Sequence, residues 1–166
     1  DYAALINSKC NGKRLKVGVL APNCVEAFVA ILGILRADAI WVPINSKATA
    51  EEIQYFVNLI ECDLLFVHAD QAEAATEAIS TRGPKLLPLS APRRSTAHYQ
   101  SSETISEVDD LCSLFSTGGT TGRPKAAMHS HRTWLTLFAN FLSGFHHDGP
   151  PIHLVAAPLT HAAGVI

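Results

Sequence analysis

The feature that most constrains this chain is an alternation. Three times in its first half, a short apolar run rich in β-branched residues precedes a stretch whose apolar residues recur every three or four positions. The runs are residues 14–20 (RLKVGVL), 39–44 (AIWVPI) and 64–67 (LLFV). Consecutive residues in such a run are apolar, so both faces of the strand need cover, as in a parallel sheet. The intervening stretches supply that cover. Val25, Phe28, Val29, Leu32 and Leu35 stand at helical spacing. Asn23, with Glu26 three residues on, has the form of a helix start in which the Asn oxygen caps free N–H groups. This helix is apolar nearly all round, which predicts cover on several sides. Thr49 and Glu52 form a capping box ahead of an apolar stripe of Ile53, Phe56, Val57 and Ile60. Asp70 with Glu73 opens a third helix ending near Ile79. Residues 85–89 (KLLPL) form a fourth strand, placed near an edge because Pro88 has no N–H for a ladder. The alternation predicts an α/β fold: a mostly parallel sheet flanked by helices.

Such a sheet needs apolar material. Of the 166 residues 48% are hydrophobic and 17% charged, which rules out intrinsic disorder for most of the chain. The formal net charge of −2 gives no general attraction to nucleic acid or anionic lipid, so neither is expected as a partner. The longest apolar run, residues 27–35, is too short to cross a bilayer, which takes about 20 residues. No secretory leader pattern opens the sequence. Cys10, Cys24, Cys62 and Cys112 include no CxxC pair and read as reduced, buried thiols of a cytoplasmic protein.

Residues 90–110 are polar, with Pro92, Arg93-Arg94 and many Ser and Thr, and read as an irregular surface connection. Beyond it, residues 111–116 (LCSLFS) predict a strand, 117–124 a loop, and 125–131 (KAAMHSH) another strand. An apolar helix over 134–145 and a last strand over 152–157 (IHLVAA) follow. The residues thus divide into a βα-repeat portion (1–89), the connection (90–110) and a portion of hairpin, helix and last strand (111–166).

The chemistry is concentrated in the loop Thr117-Gly118-Gly119-Thr120-Thr121-Gly122-Arg123-Pro124-Lys125. Its glycines permit positive φ and close approach of backbone to a ligand. Its threonines offer hydroxyl donors, and Lys125 a cation. Successive N–H groups in such a loop form a concave anion nest. These parts suit a polyphosphate. The GxxxxGK[ST] spacing is absent: Arg123 and Pro124 separate Gly122 from Lys125, and Ala126 follows the lysine. Pro124 also argues that the loop joins two strands rather than a strand and a helix. On composition alone, a plain Gly/Thr hairpin remains an alternative.

The loop resembles the phosphate-loop signature of the AMP-forming adenylating enzymes, a superfamily of acyl-CoA synthetases, aryl-CoA ligases, beetle luciferases and peptide-synthetase adenylation domains. Its usual form is Tyr-Thr-Ser-Gly-Thr-Thr-Gly-x-Pro-Lys-Gly. Here Ser116 stands at the aromatic position, Gly118 replaces the serine and Ala126 the final glycine. Met128 and the pair Ser130-His131 fall at the spacing of the continuation. Residues 17–45 resemble the family's early strand–helix–strand unit. Residues 158–164 (PLTHAAG) resemble its Pro-Leu-Phe-His-x-x-Gly motif, with Thr160 in place of the aromatic residue.

The resemblance implies an enzyme that joins a small carboxylic acid to ATP with Mg2+, releasing pyrophosphate, and then passes the acyl group to coenzyme A. Thr117, Gly118, Gly119, Thr120, Thr121, Gly122 and Lys125 would hold the β- and γ-phosphates, and His161 would sit near the acyl and pantetheine tunnel. By its chemistry alone, His161 is equally a structural histidine. The family's Tyr-Gly-x-Thr-Glu segment, ribose-binding aspartate motif and C-terminal lysine domain are not in this sequence. The expectation is thus the first part of a large N-terminal domain, inactive alone and prone to self-association through apolar faces of 134–145 and 152–166. A standalone nucleotide- or phosphate-binding module is the alternative. His129 and His131 would share one face of a strand, as two metal ligands could, but no cysteine or carboxylate stands at matching spacing, so solvated or packed histidines are the favoured reading and no metal site is assigned.

Overall fold

In the computed structural model, residues 2–79, 83–90, 107–118, 124–144, 149, 152 and 154–165 are described. The apolar runs become strands of one six-stranded sheet in the order β4-β3-β1-β2-β5-β6. These are β1 (Lys16–Leu20), β2 (Ile40–Ile44), β3 (Leu64–Val67), β4 (Lys85–Pro88), β5 (Leu111–Thr117) and β6 (Lys125–Ser130). The first five run parallel; only β6 is antiparallel, to β5. Pro88 lies in edge strand β4, where its missing N–H costs no ladder bond. The helices are α1 (Tyr2–Asn7), α2 (Val25–Arg36), α3 (Ala50–Leu59), α4 (Ala72–Ala78) and α5 (His131–Ser143).

Alternation along the strands sorts the core into two layers. Val17, Val19, Trp41, Leu64 and Phe66 face one way, onto Ile6 of α1 and Ala27, Ala30, Ile31 and Ile34 of α2. Leu20, Val42, Ile44, Leu65 and Val67 face the other, onto Ile53, Phe56 and Val57 of α3 and Ala75 and Ala78 of α4. Cys62 lies in this second layer, and burial pushes its thiol up to about 12. All four cysteines are free; Cys62 and Cys112 are buried, Cys10 and Cys24 only partly so.

The capping box of α3 forms as expected: the Glu52 N–H donates to Thr49 Oγ1 at 3.3 Å, and the Thr49 N–H to Glu52 Oε2 at 2.8 Å. Several expectations are corrected. Helix α1 has no counterpart among them; its close packing on α2 turns on Gly33, where a Cβ would stand 2.5 Å from Tyr2 Cβ. Helix α2 is not covered all round: Val25, Phe28 and Leu32 are 66%, 47% and 50% exposed, a stripe turned away from the sheet. Its N-cap is Cys24, without a side-chain bond, one residue past the expected Asn23, whose amide is engaged with residues 155–159. The third helical segment begins earlier than Asp70: His68 Nδ1 accepts from the Asp70 N–H, capping a short 3-10 turn (Ala69–Gln71) before α4. Ser130 caps α5 by accepting from the Thr133 N–H, so His131 opens the helix instead of ending the strand. Residues 152 and 154–157 form no strand; Ile152, Leu154 and Val155 are exposed, and no ladder partner stands beside them among the described residues. The polar connection lies largely outside the described residues, and β5, which follows it, pairs directly with β2.

Candidate functional site

In an open parallel sheet, ligands bind beyond the carboxyl ends of the strands. Both sequence-marked segments lie at that edge. Strand β5 ends at Thr117, and β6 returns from Lys125, its Cα partner across the hairpin. The loop therefore joins two strands, as Pro124 suggested. The neck is closed by one side chain: Thr117 Oγ1 donates to the Lys125 carbonyl at 3.2 Å and accepts from the Lys125 N–H at 3.3 Å. Thr117 thus holds the mouth of the loop, and its hydroxyl is committed to backbone. On the downstream arm, Tyr55 of α3 donates its hydroxyl to the Pro124 carbonyl at 3.1 Å. Lys125 is exposed, and nothing lies within 4 Å of where a Cβ on Gly118 would stand. An exposed cation thus stands at the neck of the loop, a chemistry that suits a polyphosphate. Gly119, Thr120, Thr121, Gly122 and Arg123 lie outside the described residues.

The second segment sits past the end of β1. Leu159 is buried in the first core layer. His161 is exposed and caps a 3-10 turn (Ala162–Gly164), its Nδ1 accepting from the Ala163 N–H at 3.2 Å. In a neutral ring this places the proton on Nε2. The turn folds tightly on itself: a Cβ at Gly164 would stand 2.1 Å from the Pro158 carbonyl oxygen, so only glycine fits. Strand β2 lies between β1 and β5, so the strands carrying the two segments are about 10 Å apart. Thr117 and Lys125 are brought together at one neck; His161 stands in a separate turn along the same edge.

Two residues that sequence reasoning missed organise these segments. Tyr55 falls on the helical stripe of α3 with no motif to mark it. Asn23 was marked, but as a cap. Behind the hairpin, Trp134 of α5 donates its indole N–H to Ser113 Oγ at 2.9 Å, inside an aromatic cluster with Trp41 and Phe115. The His129 ring meets Phe115 edge-on at 5.5 Å. With His131 in the helix, the two histidines do not share a strand face as expected. Among the described residues, no three His, Cys, Asp or Glu side chains gather to hold a metal, so no residue here is assigned to Mg2+. No helix among them is long and apolar enough to cross a membrane.

Comparison with known proteins gives one consistent answer. The profile of the AMP-binding enzymes matches residues 2–166. A Humulus lupulus protein bearing the name of a CoA ligase, CCL9, is 28% identical over 179 residues, covering 100% of this chain and 34% of that protein. The feruloyl-CoA synthase of Amycolatopsis is 30% identical over 152 residues, covering 90% of this chain and 30% of that protein. The chain thus spans about a third of the length of these relatives. In structure, ATP-bound MatB from Rhodopseudomonas palustris superposes with a TM-score of 0.84 at 22% identity, over 99% of this chain and 34% of that one.

Proposed function

The chain belongs to the AMP-binding enzyme family, and from that premise we propose that it is part of an ATP-dependent acyl- or aryl-CoA ligase. The observation that carries the reading is the hairpin neck at the sheet's carboxyl edge, clamped by Thr117, with the Lys125 cation exposed there.

The chemistry asks for such a device. A carboxylate oxygen attacks the α-phosphorus of ATP, forming an acyl phosphate bond. The bond from that phosphorus to the bridging oxygen breaks, and its electron pair leaves with pyrophosphate. The thiol sulfur of coenzyme A then attacks the acyl carbon and AMP departs. The first step brings an anion to a polyanion, so fixed cations and N–H dipoles around the departing phosphates lower its barrier. In this assignment Gly118, Gly119, Thr120, Thr121, Gly122 and Lys125 cradle the β- and γ-phosphates. Thr117 serves them by holding the neck. Mg2+ would screen the phosphates when bound. His161 presents its Nε2–H at the same edge, toward the acyl and thiol substrates. The name of the Amycolatopsis relative favours an aromatic acid among the candidates. The cytoplasm, which supplies ATP and coenzyme A, is the proposed location.

The 166-residue chain holds the phosphate loop without the rest of the machinery and is expected to be inert alone. Its exposed Leu135, Leu142, Leu154 and Val155 favour self-association, read by light scattering as a dimer or larger species. The deciding experiment is an assay of pyrophosphate release with MgATP, coenzyme A and a panel of aliphatic and aromatic acids. It is run on this chain and on a longer protein that contains it. The reading expects turnover by the longer protein with at least one acid and none by the chain. A longer protein inert with every acid would overturn the ligase; turnover by the chain alone would overturn its incompleteness.

A further inference from the structure

Asn23 stands just past the carboxyl end of β1, where an asparagine ordinarily caps the following helix. Its amide instead reaches across to a segment more than 130 residues away. Oδ1 accepts from the Leu159 N–H at 2.8 Å; Nδ2 donates to the Ala157 carbonyl at 2.8 Å and toward the Val155 carbonyl at 3.4 Å. The side chain thus engages the backbone at alternate residues 155, 157 and 159, as a neighbouring strand would, and 154–157 gain edge partners without a ladder. Helix α2 itself has Cys24 as its N-cap, whose side chain makes no capping bond.

What the amide holds is a rigid unit. The turn from Pro158 to Gly164 is closed by the His161 N–H donating to the Pro158 carbonyl at 2.9 Å and the Gly164 N–H donating to the His161 carbonyl at 2.9 Å. The Nδ1 bond to Ala163 fixes the His161 ring on it. Leu159 seats the turn in the first core layer, and Gly164 is buried at its far end. The Asn23 hydrogen bonds add the directional hold on residues 155, 157 and 159 that apolar packing does not supply.

We infer that Asn23 is the positioning residue for His161: its three-point hold on 155–159 fixes the turn that carries the histidine at the carboxyl edge of β1. The role of His161 toward the acyl and thiol substrates rests on the ligase reading; the hold itself does not.

The test is NMR on the 166-residue chain in three forms: the native sequence, Asn23→Ala and Asn23→Asp, with His161→Gln used to assign the histidine ring. In the native chain the ring nitrogens should show the Nε2–H tautomer with a hydrogen-bonded Nδ1. In Asn23→Ala the Leu159 and Ala163 amides should exchange about tenfold faster or more, and the His161 signals should move to those of an unrestrained ring. Val42 and Leu65 amides should keep their protection. Asn23→Asp, which retains the acceptor for Leu159, should restore part of the protection at that amide. The inference is overturned if Asn23→Ala leaves Leu159, Ala163 and the ring signals unchanged. It is equally overturned if Val42 and Leu65 are deprotected to the same degree, since Asn23 would then serve the fold as a whole. A separate titration of coenzyme A into a longer protein that contains this chain reads the ligase assignment: His161 signals that stay still there would count against that assignment and leave the ligand-free result intact.

Discussion

The first three parallel strands and the β5–β6–α5 region make an instructive pair. Strands β2 and β3 are buried at every residue, with helices on both faces. Strand β6 and helix α5 contain no buried residue, although both carry apolar side chains. The first region is finished structure, stabilised by area removed from water on two sides. The second is anchored mainly along one seam, where Trp134 meets Ser113, Trp41 and Phe115. The residues that point to chemistry, Lys125 and His161, are exposed and sit at the margins of the finished part. A buried sheet carries an exposed edge on which the chemistry-bearing residues stand, the division expected of binding sites built on loops.

The sharpest way to break this contrast is truncation in the first region. Phe66 is fully buried, and Phe66→Ala should cost about 3–5 kcal/mol in urea unfolding. A loss below about 1 kcal/mol would mean the core is not packed as described. Alkali probes the same region next. Folding raises the Cys62 thiol from its ordinary 9.0 to about 12 by burial, so the folded state holds that proton more tightly. The resulting stability is intact below pH 9 and is lost as pH climbs toward 12. Cys62→Val should flatten that part of the pH–stability curve, and Cys62 should resist alkylation in the native chain while Cys10 reacts.

The seam comes next. Trp134→Phe keeps the ring but leaves the fully buried Ser113 Oγ without its donor, a cost of about 1–3 kcal/mol. Equal unfolding midpoints for Trp134→Phe and the native chain would show that α5 is not fastened there. The smallest effect belongs to the open face: Leu135→Ala should change stability by no more than about 0.5 kcal/mol. The same substitution should reduce self-association in light scattering.

The comparison also explains what could be read from the residues. Where both faces are covered, apolar content marks each strand, and the four βα-region strands, the Thr49–Glu52 box and the edge position of Pro88 all followed. The hairpin followed from Pro124. Errors gather where a local pattern met a distant partner. Asn23 had the form of a cap, but residues 155–159 offered its amide better use. Helix α1 depends on Gly33 in α2 leaving room for Tyr2, a contact invisible locally. Residues 152–157 had strand composition, yet a strand needs a neighbour. Phe28 and Leu32 had the composition of a covered helix face, but their cover is not among the residues described. At the candidate site, the phosphate-binding reading of the loop rests on its glycines, threonines and lysine, of which 119–122 lie outside the described residues. The long-range roles of Tyr55, which supports the loop at Pro124, and of Asn23, which holds residues 155–159, leave no periodic signal in the sequence.

The central claim is that the Gly/Thr hairpin grips the phosphate tail of ATP, with Lys125 supplying the charge. The most direct measurement is calorimetric titration of pyrophosphate into the native chain and into Lys125→Ala. Saturable binding that weakens about tenfold or more in the variant is expected, the loss of one charge-assisted hydrogen bond. Equal affinity in both, or no binding by the native chain, would contradict it.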